Sequence, residues 1–148
     1  MFKNILIPIH LEYKKNHKKL LTGALEVLSK EEGKMVMLNV EENSAHSGVS
    51  PLFDEKNERD YEQSALSQLQ EIAQNYKLPM DRLSFVINHG AVHQEILQEA
   101  HRMNADAIVM MATKPGLGSY FISSTAERVM RHAKCSVFVI RLSDDEHR

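Results

Sequence analysis

Residues 106–141 read DAIVMMATKPGLGSYFISSTAERVMRHAKCSVFVIR, and this stretch decides the fold class. Its first apolar run, Ala107–Met111, has the length of a strand and no polar alternation. That is the pattern of a strand buried on both faces of a parallel sheet. A loop punctuated by Pro115, Gly116 and Gly118 follows. Ser124 then stands three residues before Glu127, a capping-box spacing that starts a helix, with Ala126, Val129, Met130 and Ala133 on one face. A second apolar run, Ser136–Ile140, closes the unit. Strand, glycine-bearing loop and helix N-terminus together present backbone N–H groups and a helix dipole to an anion. The loop is therefore a candidate phosphate site.

The same grammar recurs upstream. The first strand is Asn4–Ile9, with Pro8 near its end, and the polar segment His10–Asn16 connects it to a helix over about His17–Lys30. Leu20, Leu21, Ala24, Leu25 and Leu28 form the apolar face of that helix, and Gly33 is placed to cap its end. The second strand is Met35–Val40. Glu41–Phe53 is the one long loop, the kind that carries function or motion. A second helix over about Asp54–Tyr76 carries Ala65, Leu66, Leu69, Ile72, Ala73 and Tyr76 as a stripe. Leu83–Ile87 is the third strand, and Val92–Met103 the third helix. Strands alternate with helices throughout, which predicts an α/β domain over 1–142. It is a Rossmann-like single sheet of five parallel strands with helices on both faces, followed by a charged, disordered tail, 143–148. In such sheets ligands bind beyond the carboxyl ends of the strands, which gathers the loops after Ile9, Val40 and Met111.

The chain has 148 residues, enough for one well-packed core, and a formal charge of −2 from 18 basic and 20 acidic residues. That balance argues against a dedicated nucleic-acid binder. No run reaches the ~18 apolar residues of a membrane span. The start, MFKNILIPIHLEYKK, reads as a strand and not as a signal peptide, since it lacks a small-residue cleavage site. The single cysteine, Cys135, excludes an internal disulfide framework, fits a cytoplasmic location and reads as a buried structural thiol. Met35, Met37, Met103, Met110, Met111 and Met130 all fall in core elements.

Three polar constellations have both a bland and a functional reading. Lys14, Lys15, Lys18 and Lys19 with His17 form either a solvated helix face or a cluster that steers an anion; the solvated face is favoured. His89 and His93 have an i, i+4 spacing, but Gly90 between them marks a strand–helix junction, so no metal centre is assigned. His10 and Glu12 near Lys114 carry the residue types of acid–base chemistry, but a surface loop is the favoured reading.

Residues 2–141 resemble the universal stress protein family. The resemblance rests on NILIPI with its polar loop and helix, on HGAVHQEILQEAHRMNADAIVMM, and on SSTAERVMRHAKCSVFVIR. It implies a sheet ordered 3-2-1-4-5, a homodimer joined through the last strand (Ser136 to Arg141), and a cytoplasmic stress-response role. One branch of the family binds ATP or related adenine nucleotides, and another does not. The binding branch carries glycine, two residues, glycine, a longer spacer, glycine, then Ser or Thr. Here Met111, Lys114 and Ser123 occupy the glycine positions, Ser124 keeps the hydroxyl, and Thr125 follows. After Pro8 and Ile9, His10 stands where the family has an aspartate, and Val40 ends the second strand beside the adenine. A Cβ at 111 or 123 restricts close backbone approach to a phosphate, while Lys114 offers a point charge. The resemblance thus implies a regulatory protein with a degenerate ATP pocket, a switch that orders the 112–122 loop. The alternatives are a non-binding interaction module or a weak ATP hydrolase. Against an enzyme, no Ser-Gly-Gly loop follows the first strand, and no carboxylates are paired for a metal.

Overall fold

Alternation within the first strand builds the two layers of the fold. The computed structural model describes residues 1–42, 55–118 and 120–147. In β1 (Asn4–Pro8) Ile5, Leu6 and Ile7 are fully buried but point into different layers. Ile5 and Ile7 join Leu20, Leu21 and Leu69 on one face of the sheet. Leu6 joins Leu38, Ile96 and Val129 on the other. The first face is covered by α1 (Lys14–Val27) and α2 (Glu55–Asn75), the second by α3 (Val92–Arg102) and α4 (Ser124–His132). The other strands are β2 (Lys34–Glu41), β3 (Leu83–His89), β4 (Ala107–Met111) and β5 (Ser136–Ile140). All five pair in parallel, as the apolar runs predict, in the order β3-β2-β1-β4-β5 that the family resemblance implies. The chain runs outward from β1 to β3, then crosses back through α3 to lay β4 on the free side of β1. The strand order therefore reverses at β1, and the loops after β1 and β4 part there.

The ends of the elements differ from the sequence reading for physical reasons. The first helix starts at Lys14 instead of His17, and it ends at Val27 because Leu28 is already extended (φ −75°, ψ 137°). Gly33 is therefore not its cap. At α4 the cap is Ser123, not Ser124: Ser123 Oγ accepts from the Ala126 N–H at 3.1 Å. Glu127 does not reach back to form a capping box but pairs with Arg131 at 2.8 Å. Of the apolar stripes, the outermost members Leu25, Leu66 and Met130 remain partly exposed, so Met130 is not a core methionine. The basic cluster is not wholly a solvated face, because His17 within it is 4% exposed. Residues read as a disordered tail include a short helix, α5 (Asp144–His147), whose Glu146 pairs with Lys19 at 2.9 Å. The long loop expected over Glu41–Phe53 lies, from 43 onward, outside the described residues. Among the described residues no helix is long and apolar enough to cross a membrane.

Candidate functional site

A cavity of about 420 Å³ opens at the reversal point, between the loops that leave β1 and β4. Its depth is apolar: Leu20, Leu38, Ile96 and Met110 line it and are buried. Its rim is polar and has three parts.

The first part is the loop after β1. The His10 and Tyr13 rings stack with centroids 4.2 Å apart and an interplanar angle of 26°. The His10 carbonyl accepts a hydrogen bond from His17 Nε2 at 3.0 Å, which places the proton of His17 on that nitrogen. Desolvation of the ring lowers the His10 pKa against the opposing pull of Glu12 and Glu42, although the residue as a whole stays exposed.

The second part comes from β2 and α2. Asn39 Nδ2 donates to the Ile9 carbonyl at 3.1 Å, and Asn39 Oδ1 accepts from the Tyr61 hydroxyl at 2.7 Å. Burial raises the Tyr61 pKa, which keeps the hydroxyl a donor. This chain of bonds fixes the floor between β1 and β2.

The third part is the loop between β4 and α4. Its base is pinched: the Ala112 N–H donates to the Ile140 carbonyl at 2.8 Å, and the Ser123 N–H donates to the Ala112 carbonyl at 2.7 Å. Between these points Gly116 (φ 92°) and Gly118 (φ 84°) adopt the left-handed backbone that glycine accepts without strain. The first amides of an α-helix have no partner within it. In α4 that of Ala126 is taken by Ser123, and those of Ser124 and Thr125 begin the helix beside the cavity. Two buried polar atoms on this side lack a hydrogen-bond partner among the described residues, Asn16 Oδ1 and Thr113 Oγ1, and both residues line the cavity. Buried polar groups are nearly always paired, and these two, with almost no accessible surface of their own, are exceptions packed just behind the cavity surface.

The fold brings Pro8, Ile9, His10, Val40, Met111, Lys114, Ser123 and Thr125 to this one cavity. Ser124 is not among the lining residues; it stands at the first position of α4. Sequence reasoning missed Tyr13, Asn16, Asn39 and Thr113. A signal existed for two of them. Asn39 is the polar interruption in the apolar run Met35–Val40, and Asn16 lies one helical turn before Leu20 on the same buried stripe.

The sequence model of the universal stress protein family matches residues 1–141. The chain is similar to universal stress protein G of Escherichia coli O157:H7, 24% identical over 143 residues that cover 95% of this chain and 100% of that protein. Among solved structures it is similar to the universal stress protein UspA from Lactobacillus plantarum, with a TM-score of 0.70, 25% identity, and coverage of 94% and 97% of the two chains. A universal stress protein solved in complex with cAMP superimposes with a TM-score of 0.63 at 12% identity, covering 95% of this chain and 97% of that one.

Proposed function

The chain belongs to the universal stress protein family, and from that premise we propose that its cavity binds an adenine nucleotide, ATP or a close relative, in a dimeric cytoplasmic regulator. The observation that carries this reading is the largely apolar pocket of about 420 Å³ at the reversal of strand order, rimmed by polar side chains and by the start of α4. A ligand with a flat apolar base and polar sugar and phosphate groups suits such a pocket. The stacked His10 and Tyr13 rings supply a surface for the base. Lys114 and the first amides of α4 lie on the phosphate side, where charge and helix dipole act together. Support also comes from the fold relative solved with cAMP. His10, whose pKa is lowered, offers hydrogen bonds in place of a carboxylate. The side chains of Met111 and Ser123 limit backbone approach, so affinity is modest and the nucleotide orders the 112–122 loop without being turned over.

The test is calorimetric titration of ATP into purified protein, alongside identification of any small molecule released by acid precipitation. Micromolar binding is expected, and Lys114→Ala should weaken it about tenfold, the equivalent of one exposed charge-assisted contact. No released nucleotide and no heat at millimolar ATP would overturn the reading.

The homodimer is proposed through Ser136 to Arg141. β5 is bonded to β4 on one side only, so its outer edge has backbone groups for a second copy. Analytical ultracentrifugation of the same preparation should show a species of two chains, and a Val139→Pro variant should return it to one. A protein that sediments as one chain before any mutation removes the dimer from the proposal. If ATP fails and the dimer holds, the remaining reading is an interaction module that works through its surface.

A further inference from the structure

At the end of the sheet's β2–β3 side, four side chains meet that the nucleotide pocket does not use. The parallel register pairs Glu41 with His89, and the Gly90 N–H donates to the Glu41 carbonyl at 3.0 Å, so the two side chains are held side by side by the sheet. One helical turn of α2 projects Glu58 and Glu62, at i and i+4, toward the same imidazole. His89 Nε2 lies 3.3 Å from Glu58 Oε1 and 2.9 Å from Glu62 Oε1. His89 Nδ1 lies 3.1 Å from Glu41 Oε2. The Glu41 side chain is only 10% exposed, and among the described residues neither its Oε2 nor His89 Nδ1 has a hydrogen-bond partner, so their 3.1 Å contact is a close approach without hydrogen-bond alignment.

A neutral imidazole has one proton for two nitrogens. With the proton on Nδ1, facing Glu41, the Nε2 lone pair points at two carboxylate oxygens. With the proton on Nε2, the lone pair points at Glu41. Either way the cluster lacks positive charge.

We propose that Glu58, Glu62 and His89 bind a divalent transition ion of the zinc type, with Glu41 orienting the imidazole from behind. The three ligand atoms lie within 4.8 Å of one another. Ligands at about 2.1 Å around a tetrahedral ion sit roughly 3.4 Å apart, close to the 3.3 and 2.9 Å that separate His89 Nε2 from the Glu58 and Glu62 oxygens. Nε2 would ligate, and a small rotation of the ring on metal binding would align Nδ1–H with Glu41 Oε2, 3.1 Å away, giving the carboxylate–histidine–metal arrangement that fixes the tautomer and raises ligand basicity. One nitrogen with two carboxylate oxygens favours zinc and its neighbours over magnesium or calcium, which seek all-oxygen shells. Three protein ligands leave the fourth position to water, on a side where Glu58 and Glu62 are 37% and 44% exposed. The sequence had paired His89 with His93; the fold instead supplies carboxylates from α2, distant in the chain.

The experiment is titration of zinc chloride into chelator-treated, nucleotide-free full-length protein by calorimetry, with metal content determined by mass spectrometry. One ion per chain is expected, with millimolar magnesium failing to compete. Cobalt(II) should give visible absorption bands that disappear in His89→Ala. Glu62→Gln, an isosteric change at a half-exposed helix position that should leave the fold intact, should weaken zinc uptake at least tenfold. Absence of stoichiometric uptake, or uptake equal in wild type, Glu62→Gln and His89→Ala, would overturn the site. Since no nucleotide is present, either result stands independently of the ATP reading.

Discussion

Gly33→Ala should lower the stability of the protein by about 3 kcal/mol, the upper part of the range for overpacking a closed site. A Cβ built on Gly33 falls 2.5 Å from Leu28 Cδ1 and closer still to Leu28 Cγ and the Ser29 carbonyl oxygen. The carbonyl cannot retreat cheaply, because it accepts from the Gly33 N–H itself at 2.9 Å. Leu28 is equally confined, being 4% exposed in the core beneath α1. Relief therefore means opening the turn between α1 and β2, and with it the bond from the Lys34 N–H to the Lys3 carbonyl at 2.8 Å. Glycine is needed here for space and not for an unusual φ, since Gly33 is absent from the positive-φ glycines Gly90, Gly116 and Gly118. Urea denaturation should show a lower midpoint at unchanged slope. An unchanged midpoint would mean that the turn relaxes freely.

Asp106→Ala should cost a similar amount, about 3 kcal/mol. The Asp106 carboxylate receives two backbone bonds, from the Lys3 N–H and the Asn4 N–H, each at 2.8 Å. Its own N–H donates to the Asn4 carbonyl at 2.9 Å. This fork ties the start of β1 to the start of β4 and sets the register of the two central strands. Hydrogen bonds to a charged group contribute about 1.5–3 kcal/mol each, less where solvent reaches them. Asp106→Asn retains one acceptor oxygen and should lose about half as much. At roughly 2–4 °C per kcal/mol for a chain of this size, the alanine variant should melt about 6–12 °C lower. Equal melting of alanine and wild type would show that water replaces the fork without loss.

The sheet was legible because its strands are buried on both faces. Runs such as Ile5-Leu6-Ile7 and Ile108-Val109-Met110 cannot alternate polar and apolar when alternate residues enter different cores. The helices were legible by their stripes, but a stripe locates the middle of a helix better than its ends. His17 shows the limit. Its lysine neighbours suggested a solvated face, yet it lies i−4 from Leu21 and turns inward to hold the His10 carbonyl. The capping serine was misplaced by one residue because Ser123 and Ser124 are equivalent as sequence; only the extended backbone of Ser123 (ψ 155°) selects it. The pocket's position followed from the strand order alone. Its polar orphans did not, because Asn16 and Thr113 come from elements 97 residues apart, and their unmet bonds exist only once the sheet has closed.

The pinched base of the loop between β4 and α4 has a consequence for how such a protein can change over generations. The two bonds that join Ala112 to Ile140 and to Ser123 hold the ends of the loop independently of what lies between them. Lengthening a flexible surface loop costs only about 0.6 kcal/mol per doubling. Insertions, deletions and exchanged glycines between Thr113 and Ile122 can therefore accumulate with little effect on the sheet. Ligand preference becomes a trait that drifts or sharpens while the scaffold stays constant, so a lineage can abandon a nucleotide, or regain one, without first having to refold.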